Sequence, residues 1–121
     1  MNANPSALAT RLLTATGAVL AALSVALSAY AAHAVDAGAQ HRLYSAALFA
    51  FGHGIALVAL APHLRRKLTL VAVSALLLGT LLFSGSLAAA VLFGTATALA
   101  PFGGSLMILA WLLYAADALR R

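Results

Sequence analysis

Four apolar stretches dominate the pattern along the chain: Leu12 to Ala32, Leu43 to Ala61, Leu68 to Phe93, and Phe102 to Leu119. Each reaches the length, about 17 to 25 residues at ~1.5 Å rise, that a helix needs to cross a hydrocarbon core of roughly 30 Å. The runs are continuous and lack the two-residue alternation of a barrel strand, so helices are the spanning form they predict. Punctuation falls between them. Pro62 closes the second run, Pro101 with Gly103 and Gly104 opens the fourth, and the stretch around Asp36, Gly38 and Gln40 is the one polar linker. The pattern predicts an all-α membrane protein: one integral domain over residues 1–121, built as a bundle of four transmembrane helices.

Composition turns this pattern into an exclusion. Of 121 residues, 64% are hydrophobic and 7% charged, and the mean hydropathy is +1.05. An average soluble domain carries about 25% charged residues, so the lipid bilayer is the solvent this chain is built for. Seven Lys and Arg against two Asp and Glu give a net charge of +5, a balance that in a soluble protein would suggest nucleic acid. Here nucleic acid is not an expected partner. Arg11, Arg65, Arg66, Lys67, Arg120 and Arg121 all lie at the edges of apolar runs, where positive charge orients a membrane protein and meets anionic headgroups. Arg42 alone lies on the other side. That asymmetry places both termini and the middle loop in the cytoplasm of a cell whose inner membrane holds the protein. A cleaved signal peptide is a rival reading of the first run, suggested by Arg11 and by the small residues flanking Tyr30 and His33. The run exceeds the about 7 to 15 residues of a signal core, so it is read as a helix. Cysteine is absent, which excludes disulfides and thiolate chemistry.

Small residues recur at helical spacing. Gly17, Ala21, Ser24, Ser28 and Ala32 mark one seam on the first helix; Thr80, Ser84 and Ala88, with Gly85 and Ala89, mark another on the third. Bilayer helices associate through such close-approach faces, and packing within the bundle is the first use expected of them.

Polar groups inside the bilayer are costly and are where function is sought. His53 lies about 15 Å below the outer end of its helix, close to the midplane, and Ser84 and Ser86 lie at a similar depth on the third helix. These three form the candidate intramembrane cluster. A buried, neutral His53 would donate to a serine hydroxyl or a backbone carbonyl. Ser84 is expected to face the second helix and Ser86 to bond a carbonyl one turn back, with Gly85 admitting a neighbouring backbone. His33, Asp36 and His41 are the candidate polar residues of the outer face. Their spacing is a weak metal pattern, and no metal site is expected from it. Haem between His33 and His53 would need both within about 2 Å of one iron, whereas the two differ by roughly 15 Å in depth. No cofactor is expected. Asp117 stands three and four residues before Arg120 and Arg121, the spacing of a helix-face ion pair. His63 reads as a solvated interface residue, Tyr30 and Tyr44 as interfacial anchors, and Trp111 and Tyr114 as core packing.

Several of these residues together resemble domain-of-unknown-function family 423, small membrane proteins that include the YgdD-like and YwdK-like bacterial members. The matching pieces are Ala31-Ala32-His33, His53 followed by Gly54-Ile55-Ala56-Leu57, Phe83-Ser84-Gly85-Ser86-Leu87, and Pro101-Phe102-Gly103-Gly104. The family's usual glycines before the first histidine are replaced here by Ala29, Ala31 and Ala32, and its His-Ala-Leu by His53-Gly54-Ile55. The resemblance implies a four-helix inner-membrane protein and supplies no activity, substrate or cofactor.

No nucleophile elbow, phosphate loop or metalloprotease helix is present. The expected role is therefore non-enzymatic: a homo-oligomer or the accessory subunit of a membrane-protein partner. The alternative is a binder or conduit for a lipid-like molecule, proton or ion working through His53, Ser84 and Ser86.

Overall fold

A computed structural model describes residues 5–120 as four long helices: α1 (Pro5–Ala34), α2 (Ala37–Leu60), α3 (Lys67–Phe93) and α4 (Ala100–Leu119), with a 3-10 turn at Ala61–His63. All four are long and apolar enough to cross a membrane. They run alternately up and down, α1 along α2, α2 along α3 and α3 along α4.

Local chemistry sets the helix ends. Asp36 adopts an extended conformation (φ −71°, ψ 172°) and its Oδ1 accepts from the Ala39 amide at 2.9 Å, capping α2. The helix therefore begins at Ala37 rather than Leu43, and Gln40, His41 and Arg42 form its first turns rather than a linker. Gln40 Nε2 donates to the Ala31 carbonyl at 3.0 Å, which ties the two helix ends across the tight connection. Pro62 sits in the 3-10 turn that ends α2. At the end of α3, Gly94 turns the chain in the left-handed region (φ 70°), where a residue without Cβ is favoured.

Small residues take many of the buried positions, beside a few large ones such as Leu43, Leu57 and Leu76, while many large apolar residues face outward. Ala31, Ala46, Ala47, Ala50, Ala61, Ala72, Ala100 and Ala110 are buried, while Leu12, Leu23, Leu48, Leu78, Ile108 and Leu112 are more than half exposed. Water would not tolerate such a surface; hydrocarbon does. Two glycine contacts set the helix spacing. A Cβ on Gly17 would lie 2.6 Å from the Gly54 carbonyl oxygen, and one on Gly79 would lie 2.9 Å from the Gly103 carbonyl oxygen. Each hairpin, α1 with α2 and α3 with α4, is thus closed backbone to backbone. Gly103 is a contact residue within α4 rather than a helix opener. At the arginine-rich end, Leu13, Leu57, Ala61 and Val73 form a core to which Leu20, Leu64, Leu70 and Tyr114 add.

Candidate functional site

His53 projects from α2 toward α4, not toward the serines of α3. Its Nδ1 lies 2.8 Å from the Phe49 carbonyl oxygen one turn back on α2. Its Nε2 lies 3.0 Å from Trp111 Nε1 on α4. An indole N–H only donates, so Nε2 is the acceptor and the proton sits on Nδ1, donated to Phe49. The geometry describes a neutral imidazole with both nitrogens satisfied. The carbonyl partner was legible from sequence, but Trp111 was not. The ring is half-buried rather than buried, and Trp111, expected in the core, is 38% exposed. Around the pair runs a chain of rings: Phe83 against Phe49 edge to face (centroids 4.9 Å), Phe49 to His53 (6.2 Å), His53 to Trp111 (5.9 Å) and Trp111 to Tyr114 (6.0 Å).

Ser84 and Ser86 take separate paths. Ser84 is buried and lines an apolar groove of about 450 Å³ between α1, α2 and α3, together with Ser24, Ala46, Ala50 and Thr80. Its hydroxyl and that of Ser86 are buried with no hydrogen-bond partner. The backbone bond expected of Ser86 is therefore not made, although hydroxyls elsewhere in the bundle do make theirs. Ser24 donates to Leu20 O at 2.6 Å, Thr80 to Leu76 O at 2.7 Å and Ser105 to Pro101 O at 2.8 Å. Gly85 faces open space, with nothing within 4 Å of an added Cβ, so the close backbone approach expected there occurs instead at Gly17, Gly54, Gly79 and Gly103. No hydrogen bond joins His53 to either serine.

The outer-face residues have structural work or face outward. Asp36 caps α2, and His33 and His41 are exposed. Among the described residues, no three His, Asp or Glu side chains gather in a way that could hold a metal ion.

At the opposite end, Asp117 is fully buried and its Oδ1 lies 3.1 Å from Arg66 Nη2. Among the described residues the ion pair of Asp117 is the long-range one with Arg66 and not the near one with Arg120, and it pins α4 to the connection between α2 and α3. Arg121 lies outside the described residues. A buried carboxylate demands such a partner, because losing it leaves a charge in a low-dielectric environment.

A helical membrane protein with four candidate spans is the class these observations define. Within that class, residues 27–104 match the family described as Protein of unknown function (DUF423), and the chain belongs to it. No solved structure matches the chain.

Proposed function

We propose that the chain is a non-enzymatic component of the bacterial inner membrane, both termini cytoplasmic, that acts by packing against another membrane helix as a homo-oligomer or accessory subunit. The carrying observation is an open groove of about 650 Å³ between the outer halves of α1 and α2, with Ser24, Ser28, Ala29, Ala32 and Ala47 along its floor and the larger Val25, Tyr44, Leu48 and Phe51 also lining it. The small-residue seam of α1 thus divides in two. Its Gly17 end is consumed by Gly54 and Ser24 is buried, while Ser28, Ala29 and Ala32 line the open groove. Small residues on a lipid-facing groove let a further helix approach closely, which is what drives association in a bilayer. The non-enzymatic part is supported by the two carboxylates, since Asp36 is spent on a helix cap and Asp117 on an ion pair. The orientation rests on the Lys and Arg asymmetry.

Site-directed cross-linking in native membranes, from positions beside Ser28 and Ala29, tests this reading. Capture of a second copy or one discrete membrane protein is expected, lost in Ser28→Leu. Adducts to lipid alone, unchanged in that variant, would overturn it.

A second reading, a site for a lipid-like molecule, is favoured by the groove between α1, α2 and α3 and by the unpartnered Ser84 hydroxyl beside it. Its outcome is a discrete amphiphile found by mass spectrometry of extracted protein and lost in Ala50→Phe.

A further inference from the structure

The connection between α2 and α3 concentrates charge and leaves most of it unmatched. Arg65, Arg66 and Lys67 are consecutive. Among the described residues, the only ion pair joins Arg66 to Asp117, so Arg65 and Lys67 have no carboxylate. Arg11 and Arg120 add two more cations at this end of the bundle.

The same connection walls a recess. His63, Arg65, Arg66, Thr69 and Tyr114 line a cavity of about 200 Å³ whose apolar side is Leu60 and Leu64. It offers room for about half a dozen water-sized groups at ~30 Å³ each. The start of α3, whose Thr69 lines the recess, adds to the positive charge here. The first intrahelical bond of α3 runs from Leu70 N to Arg66 O at 3.0 Å, and Arg66 at the N-cap supplies no side-chain cap. The amides of Lys67, Leu68 and Thr69 therefore precede the helical ladder and lie at the positive end of a 27-residue helix. Arg66 can hold Asp117 and still present donors, because a guanidinium carries five N–H groups in a planar fork.

A recess with guanidinium donors, an apolar wall and a position where a helix bundle leaves the hydrocarbon matches one ligand chemistry. We propose that it binds the phosphate of an anionic phospholipid, with Arg65 as the principal contact, Arg66 and His63 completing the seat, and Leu60 and Leu64 against the first part of the acyl chains. Charge complementarity selects the anionic lipid, and the apolar wall selects a lipid over a free phosphate ion.

The test is native mass spectrometry of the full chain in detergent, titrated with phosphatidylglycerol and with phosphatidylcholine of the same acyl chains. One phosphatidylglycerol is expected to bind at least about tenfold more tightly than phosphatidylcholine, the preference of a charge-assisted over a net-neutral headgroup. Arg65→Gln should lower that affinity about tenfold, Arg65→Lys should restore part of it, and Arg120→Gln, which removes the same charge nearby, should change it less than about twofold. Arg65 is exposed and makes no ion pair among the described residues, so the melting temperature of Arg65→Gln should match the parent's and loss of fold is separable from loss of site. Equal weakening by Arg65→Gln and Arg120→Gln would mean diffuse attraction and overturn the site. Inorganic phosphate that binds as tightly as phosphatidylglycerol and displaces it would overturn the lipid assignment.

Discussion

The indole N–H of Trp111 donates to Nε2 of His53 across 3.0 Å, joining α4 to α2 at a point where both side chains border lipid. Among the described residues no other group donates to that nitrogen. The bond therefore fixes both the tautomer of the ring and the rotation of α4 relative to α2. A bilayer hydrogen bond of this kind contributes about 0.6 to 1 kcal/mol, enough to choose between rotational settings of an otherwise uniformly apolar helix.

Because Trp111 is the only tryptophan, it reports on its own bond. His53→Phe keeps an aromatic ring but removes the acceptor. The expected outcome is a blue-shifted emission with a loss of about 1 kcal/mol in stability. Nitrogen NMR of the parent should find His53 protonated on Nδ1 alone. Unchanged emission in the variant would show that the indole bonds elsewhere.

Asp117→Asn should destabilise the protein by about 2 to 3 kcal/mol, below the ~3 to 5 of a fully buried pair because Arg66 is 40% exposed. Its partner identifies the structure. A double-mutant cycle measured by thermal melts should show coupling between Asp117 and Arg66 and none between Asp117 and Arg120. The reverse pattern would return Asp117 to a local pair on the surface of α4.

Tyr114 lies where the ring chain from Phe83 through Phe49, His53 and Trp111 meets the Arg66–Asp117 end of the bundle. Tyr114→Ala removes a ring packed on the core of Leu13, Leu57 and Val73. A loss of about 3 kcal/mol is expected, at the low end for aromatic truncation because the ring is only partly buried. A melt shifted by less than half that amount would remove Tyr114 from the core.

The spans were legible because crossing a bilayer imposes length and hydrophobicity on a sequence directly. Rotation of each helix about its own axis was not. On α3 the small-residue seam did put Thr80 and Ser84 on a buried face, but nothing in the pattern told Gly79, which meets Gly103, from Gly85, which is open. Asp117 illustrates the consequence: Arg120 is its near neighbour in sequence, and only the rotation of α4 brings Arg66 to it instead. His53 was found by its depth, yet depth placed it with Ser84 and Ser86 while rotation turned it to Trp111. Asp36 misled for a different reason. Its neighbours Gln40, His41 and Arg42 are polar enough to read as a loop, although an aspartate followed by a helical run is also a capping signal.

Glycines carry the sharpest contrast, because two that look alike in sequence occupy opposite environments. Gly54 lies against the backbone of α1, where an added Cβ would stand 2.7 Å from the Gly17 carbonyl oxygen and 3.0 Å from the Ala21 amide nitrogen. Those are main-chain atoms and cannot swing aside, so α1 and α2 must separate to admit even a methyl group. Gly54→Ala should destabilise by about 1 to 3 kcal/mol, the range of overpacking a tight core. Gly85 lies in the sequence between two serines and resembles a contact residue, but nothing stands within 4 Å of its missing Cβ. There the substitution meets no neighbour and gains helix propensity, so Gly85→Ala should be neutral or stabilise by up to about 1 kcal/mol. Thermal melts of the two variants in the same detergent check the assignment together. A destabilising Gly85→Ala beside a tolerated Gly54→Ala would mean that α3, not α1, provides the close backbone contact to α2, and the helix rotations described above would have to be exchanged.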